Sequence, residues 1–428
     1  MRLARRHWLQ MSIGALFCGK ICGETPLGIV GENVTEMVQQ WNRRPVTPGF
    51  RPGRIAVRRV AFQINQRREG YELTIAPGQP IATPLVVGDR VYVGSGFTGT
   101  TFYCLDANSG KVIWSVQLSD NGPTAAAYED GIVYVNTESC TLFALNATTG
   151  QQIWSWYLGD PLPTMPTVAH GRVFTAYPLD GTGTHALVCL EARTGRAFWI
   201  RRIDSEILSC PVADKEDVYV ATFGGILYRF RQKDGAVLLA VRSQPTSAPV
   251  IVGNYVLYSR VRPGTQVETI VAHAKDDNHI VLETTQRGSR NWPQDQGANA
   301  AYVYQGSRPV YADGRIYVAL GNAVHCLGAA HGMAYWSCEV GAAMPVALAG
   351  NAVVVAKVNG EILLLEPGSG EVRNKYDVGA PIAFPPAVDR GRIFAVTATG
   401  KLVCIKTGQA ELTGWPCWGG HAHRNSVV

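Results

Sequence analysis

The chain has 428 residues, 46% of them apolar and 17% charged, with 46 glycines and 24 prolines, a composition that suits many tight turns between short buried strands. The formal charge of +6 is unevenly placed: +4 in residues 1–23, −3 in 24–40, eight arginines and no acid in 41–68, and −3 over 69–428. The basic segment lacks interleaved aromatics, which argues against nucleic acid as a partner.

The first element is an export signal over residues 1–23. Arg5-Arg6-His7-Trp8-Leu9-Gln10 looks like a twin-arginine motif, and the apolar run Met11 to Cys18 follows it. That run is too short to span a bilayer and is followed closely by Lys20. A Sec signal with incidental arginines and an uncleaved anchor are the alternatives. Cys18 suggests a lipoprotein, but Phe17 stands where a lipobox needs a small residue. The expected location is the periplasm or cell envelope. Residues 24–54 form a Pro/Arg-rich arm, and the arginines of 41–68 are read first as part of a solvated strand pair closing the fold. A weak contact with anionic membrane is the second reading.

From about residue 55 a unit repeats. Asp106-Ala-Asn-Ser-Gly110 leads to Trp114, Asn146-Ala-Thr-Thr-Gly150 to Trp154, and Glu191-Ala-Arg-Thr-Gly195 to Trp199. The turn position continues through Gly235, Asn278, Gly332 (with Trp336), Gly370 and Gly408, at steps of 38 to 54 residues, with a degenerate first copy at Gly70. In each turn a side-chain oxygen bonds backbone amides and glycine takes positive φ. A second marker runs in phase: a proline-opened apolar strand with a large residue eight positions on, as in Pro84 to Tyr92 and Pro166 to Phe174. About 40 residues is one four-stranded blade, so residues 55–412 are predicted to form an all-β propeller of eight blades, with seven as the alternative. Trp114, Trp154, Trp199 and Trp336 fill the gaps between blades, and Leu239, Leu282 and Leu412 hold that position less well.

This repeat resembles the quinoprotein-type propeller, found in pyrroloquinoline quinone dehydrogenases and in the non-catalytic propellers of outer-membrane protein assembly. The resemblance implies the fold and leaves the function open. The dehydrogenases use an adjacent cysteine pair, a tryptophan floor and a calcium ligand set ending in a catalytic aspartate. This sequence has no Cys-Cys and no Cys-x-x-Cys-His, so pyrroloquinoline quinone is not expected. The resemblance then implies a non-catalytic binding or scaffolding protein of the cell envelope, monomeric, with a protein partner. A quinone- or metal-dependent oxidoreductase with an atypical site and a carbohydrate- or polymer-binding module are the alternatives.

The remaining candidates are weaker. Cys326 and Cys338 flank one turn and are the best local disulfide candidate. His421-Ala-His423, and His325 with His331, lack a third metal ligand in phase. The longest insertion carries Arg287, Arg290, Trp292 and Asp295, a candidate partner-binding loop. The tail 413–428, with Gly414-Trp-Pro-Cys-Trp-Gly-Gly-His-Ala-His-Arg-Asn425, packs across the closing blade or marks the start of a lost domain.

Overall fold

The computed structural model describes residues 38–39, 57–64, 66–138, 140–158, 164–179, 183–262, 264–265, 267–284, 286, 288–289, 307–415 and 427. Eight antiparallel sheets follow one another in sequence order, each of four core strands, and neighbouring blades touch through their innermost strands. Blade 1 comprises Leu85–Val87, Arg90–Gly94, Thr101–Asp106 and Val112–Gln117. The inner strands of blades 2 to 7 begin at Ala127, Thr167, Val212, Val250, Val310 and Ala347. Blade 8 takes Ala387–Asp389, Arg392–Val396 and Lys401–Lys406 from the carboxyl-terminal part of the chain and its fourth strand, Gln66–Thr74, from the amino-terminal part. A fifth strand, Val57–Ile64, pairs outside it.

Local chemistry explains these elements. At Asp130-Gly131, His170-Gly171, Asp313-Gly314 and Arg390-Gly391 both central residues have positive φ, the pattern that matches hairpin twist. The turn between third and fourth strands closes with the amide of the repeat position donating to the carbonyl four residues back, from Gly110 to Asp106, Gly150 to Asn146, Gly195 to Glu191, and Gly370 to Glu366. Asn278 makes the same bond to Ala274 at φ 59, as an asparagine can. The Asp106 and Asn146 side chains accept the amides of Ser109 (2.7 Å) and Thr149 (3.0 Å).

The blades are joined by one repeated contact. Each tryptophan lies flat on the turn glycine of the next blade, Trp114 on Gly150, Trp154 on Gly195, Trp199 on Gly235 and Trp336 on Gly370, so closely that a Cβ there would come within 3 Å of the indole. The indole N–H donates to the carbonyl three residues before that glycine: Ala147 (3.1 Å), Ala192 (3.0 Å), Gln232 (2.8 Å) and Pro367 (2.9 Å). In three blades a second-strand tyrosine shares the acceptor, Tyr92 with Ala147 and Tyr134 with Ala192, both at 3.0 Å, and Tyr317 with Pro367 at 3.4 Å. Ala192 O thus serves two side-chain donors, which matches its two lone pairs, while Ala147 O and Pro367 O each take an arginine as well, from Arg90 and Arg315.

The closing blade differs from the sequence reading. Tyr71, not Leu412, takes the tryptophan position: it pairs with Cys404 as Trp114 pairs with Cys104, covers Gly110, and donates to Ala107 at 3.1 Å. Gly70 is therefore a strand residue opposite Ile405 rather than a turn. Gly408 keeps positive φ but falls four residues after Cys404 instead of six, and the strand that follows it among the described residues, Gly414–Trp415, joins blade 7 rather than blade 8. Leu239 and Leu282 do stand opposite Arg229 and Ala272 in the tryptophan register.

One further expectation is corrected. Cys326 and Cys338 are free thiols, because Cys326 faces Trp336 and Cys338 faces Val324, a diagonal about 7 Å apart that a disulfide does not bridge. Of the tail 413–428, Gly414–Trp415 pairs with the inner strand of blade 7 and Val427 bridges Ile251 on the inner strand of blade 5, while 416–426 and 428 lie outside the described residues.

Candidate functional site

A ring of radial blades offers three places for function: the mouth of its channel, the seams between blades and the outer rim. The mouth is formed by the residue before each inner-strand proline and its equivalents, including Thr83, Ala125, Met165, Cys210, Ala248 and Arg308, all at most 4% exposed. Ala125, Met165, Cys210 and Phe384, from blades 2, 3, 4 and 8, belong to one packed cluster with Ile81. From blade 6 the Arg308 guanidinium reaches Cys210 Sγ at 3.8 Å and Pro249 O at 3.2 Å. Residues of non-adjacent blades meet here, so side chains fill the axis at this level. A planar cofactor seated there would have to displace them, and the residues do not fit pyrroloquinoline quinone.

Reactive groups are likewise tied up or quenched. Burial pushes the Cys104, Cys189 and Cys404 thiols up to about 12, away from the thiolate a nucleophile needs. Burial lowers His185 to about 4, against the pull of Asp204. Buried Glu268 accepts Ser307 Oγ at 2.6 Å and the Thr246 hydroxyl, binding three segments of blade 5 and its neighbour. Among the described residues no three potential metal ligands cluster. His325 Nδ1 meets Ser337 Oγ at 2.7 Å, whereas His331 Nδ1 accepts the Met333 amide, so the two histidines serve separate local bonds. Arg287, Arg290, Trp292, Asp295 and the His421–His423 pair lie outside the described residues.

The rim carries a feature that the sequence reading passed over. In blades 1 to 7 the fourth strand is bulged at one position, immediately before the tryptophan or its replacement. The extra residue is Ile113, Ile153, Phe198, Leu238, Val281 or Tyr335 in blades 1 to 6, each 40–55% exposed, and Arg373 in blade 7. A bulge bends an edge strand and spoils it as a template for a second copy. The six apolar side chains form an interrupted belt suited to protein contact rather than to chemistry. An apolar residue before each repeat tryptophan was the signal available in the sequence.

Comparison with known proteins fits this picture. A crystal structure of BamB from Moraxella catarrhalis superposes with a TM-score of 0.60 at 14% identity, covering 82% of this chain and 98% of that one. The quinohemoprotein alcohol dehydrogenase of Comamonas testosteroni gives 0.58 at 13%, covering 78% and 75%, and a europium-containing methanol dehydrogenase gives 0.56 at 13%, covering 90% and 87%. At these identities the likeness is one of fold. A comparison with curated protein sequences gives no match. The family model described as outer membrane protein assembly factor BamB matches residues 65–169, 159–259 and 321–415, more than half of the chain, and the protein belongs to that family of β-propellers.

Proposed function

We propose that this protein is a non-catalytic scaffold of the cell envelope that supports assembly of outer-membrane proteins by holding a protein partner. The observation that carries the reading is the family match across blades 1 to 4 and 6 to 8. The filled channel mouth and the buried, protonated thiols support it, since they leave the surfaces of the ring to do the work. Export through the Arg5-Arg6 signal, contact of residues 41–68 with anionic lipid, and partner contact through the loop bearing Arg287, Arg290, Trp292 and Asp295 belong to the same proposal. The test is removal of the protein from its own cells: outer-membrane β-barrel proteins should fall in abundance and recover when the intact chain is restored. Unchanged levels would refute the scaffold reading. Calcium-dependent uptake of pyrroloquinoline quinone with dye-linked alcohol oxidation by the purified protein would replace it with a dehydrogenase.

A further inference from the structure

The repeat supplies an internal control for one arginine. The second strand begins with arginine in four blades, at Arg90, Arg172, Arg315 and Arg392. In three of them the guanidinium spans the seam to a main-chain oxygen of the next blade: Arg90 to Ala147 (2.6 Å), Arg315 to Pro367 (3.3 Å) and Arg392 to Gly88 (3.2 Å). Arg172 does not. At this seam Arg201 of blade 3 donates to blade 4 in its place, to Gly235 O (2.6 Å) and to Asp234 O, beside the Trp199 bond to Gln232 O. The Arg172 guanidinium instead lies 4.2 Å over the Phe198 ring and donates to Cys189 Sγ at 3.6 Å.

Arg172 thereby borders a cleft of about 450 Å³ in the seam between blades 3 and 4, within the range of ligand sites. Two of the other cations there are neutralised locally, Arg229 by Asp217 at 2.6 Å and Arg231 by Asp234 at 3.0 Å. Lys215 and Lys233, also in the lining, have no hydrogen bond or ion pair among the described residues, and Glu216 is the one lining acid without a cation. Three uncompensated cations therefore face one acid. Leu238, the exposed bulge residue of blade 4, completes the wall. An inorganic oxyanion would fill a small part of this volume and would leave the apolar wall unused.

We propose that this cleft binds an acidic peptide segment of a partner protein, with carboxylates meeting Arg172, Lys215 and Lys233 and an apolar side chain resting on Leu238. Charge complementarity selects the occupant, and planar, paired guanidinium contacts suit carboxylates. The inference stands whether or not the propeller serves outer-membrane assembly.

The test is fluorescence anisotropy with the full chain and a fluorescein-labelled peptide of alternating glutamate and leucine. Arg172→Gln and Lys233→Gln should each weaken binding about tenfold, and Lys111→Gln on blade 1 should not. Glu216→Gln should tighten it, a gain that misfolding cannot produce. Affinity should drop between about 50 and 200 mM salt. Equal binding of a glutamine-for-glutamate peptide, indifference to Arg172→Gln and Glu216→Gln, or saturable binding of inorganic phosphate without the peptide would each overturn the proposal.

Discussion

Trp154 offers a direct test of how the blades are joined. Its side chain is 1% exposed, lies on Gly195 and shares the Ala192 carbonyl with the Tyr134 hydroxyl. Trp154→Ala removes a buried aromatic between two blades and should cost about 3 to 5 kcal/mol. The shared acceptor makes a sharper statement possible. In Trp154→Phe the carbonyl keeps the tyrosine, and in Tyr134→Phe it keeps the indole, so each single change should cost only about 1 kcal/mol. The double variant leaves a buried carbonyl with neither donor, whose desolvation costs about 1 to 3 kcal/mol more. The double-mutant cycle should therefore show a coupling of at least about 1 kcal/mol, read from urea unfolding followed by far-ultraviolet circular dichroism. A loss below about 1 kcal/mol in Trp154→Ala, or additivity in the cycle within about 0.5 kcal/mol, would refute the reasoning.

Gly400→Ala places a Cβ against the Ala76 carbonyl, where the Ile75 and Ala76 amides donate to Gly400 O, and should cost more than about 4 kcal/mol in thermal or chemical unfolding. Gly131→Ala, with equally positive φ but open space around it, should cost only about 1 to 2 kcal/mol. Burial raises Glu206 from the ordinary 4.5 to about 7. The folded chain then holds a proton that the unfolded chain has released, so stability falls as pH rises through that window, and Glu206→Gln should gain on the parent at about pH 8 and match it at about pH 3.5, about one unit outside the window on either side. Changing both Arg5 and Arg6 to lysine should trap the precursor in the cytoplasm on cell fractionation, because a twin-arginine signal is read through its paired guanidinium groups; continued export would exclude that route.

The period, the turn chemistry and the blade count were legible because each is local: a glycine at positive φ, an Asp or Asn oxygen beside it and a tryptophan four residues on are fixed within ten residues of chain. Ring closure was legible only in outline: the arginine-bearing segment was read as part of a strand pair closing the fold, and Val57–Ile64 does pair with Gln66–Thr74 on blade 8, but the residue that takes the tryptophan position there was not. Tyr71 replaces tryptophan in a strand with no turn before it, so nothing nearby marks it, and Gly70 next to it imitated a turn. The cleft was hidden for a related reason. Lys215 and Lys233 sit in ordinary turns, and Arg172 joins them only because, unlike Arg90, Arg315 and Arg392, it does not cross to the main chain of the next blade.

Pairing Gly70 with Ile405 also orders events in time. Blades 1 to 7 are each complete once their own roughly 40 residues are available, whereas blade 8 must bring together strands about 335 residues apart. If closure came before the intervening blades formed, the longer loop would add about 2 kcal/mol of entropy relative to a single-blade loop. Assembling those blades first reduces the search to two edges already near each other. An interrupted synthesis would therefore yield an open arc with two unsatisfied strand edges, and the last blade acts as a latch that engages only when the whole ring is present.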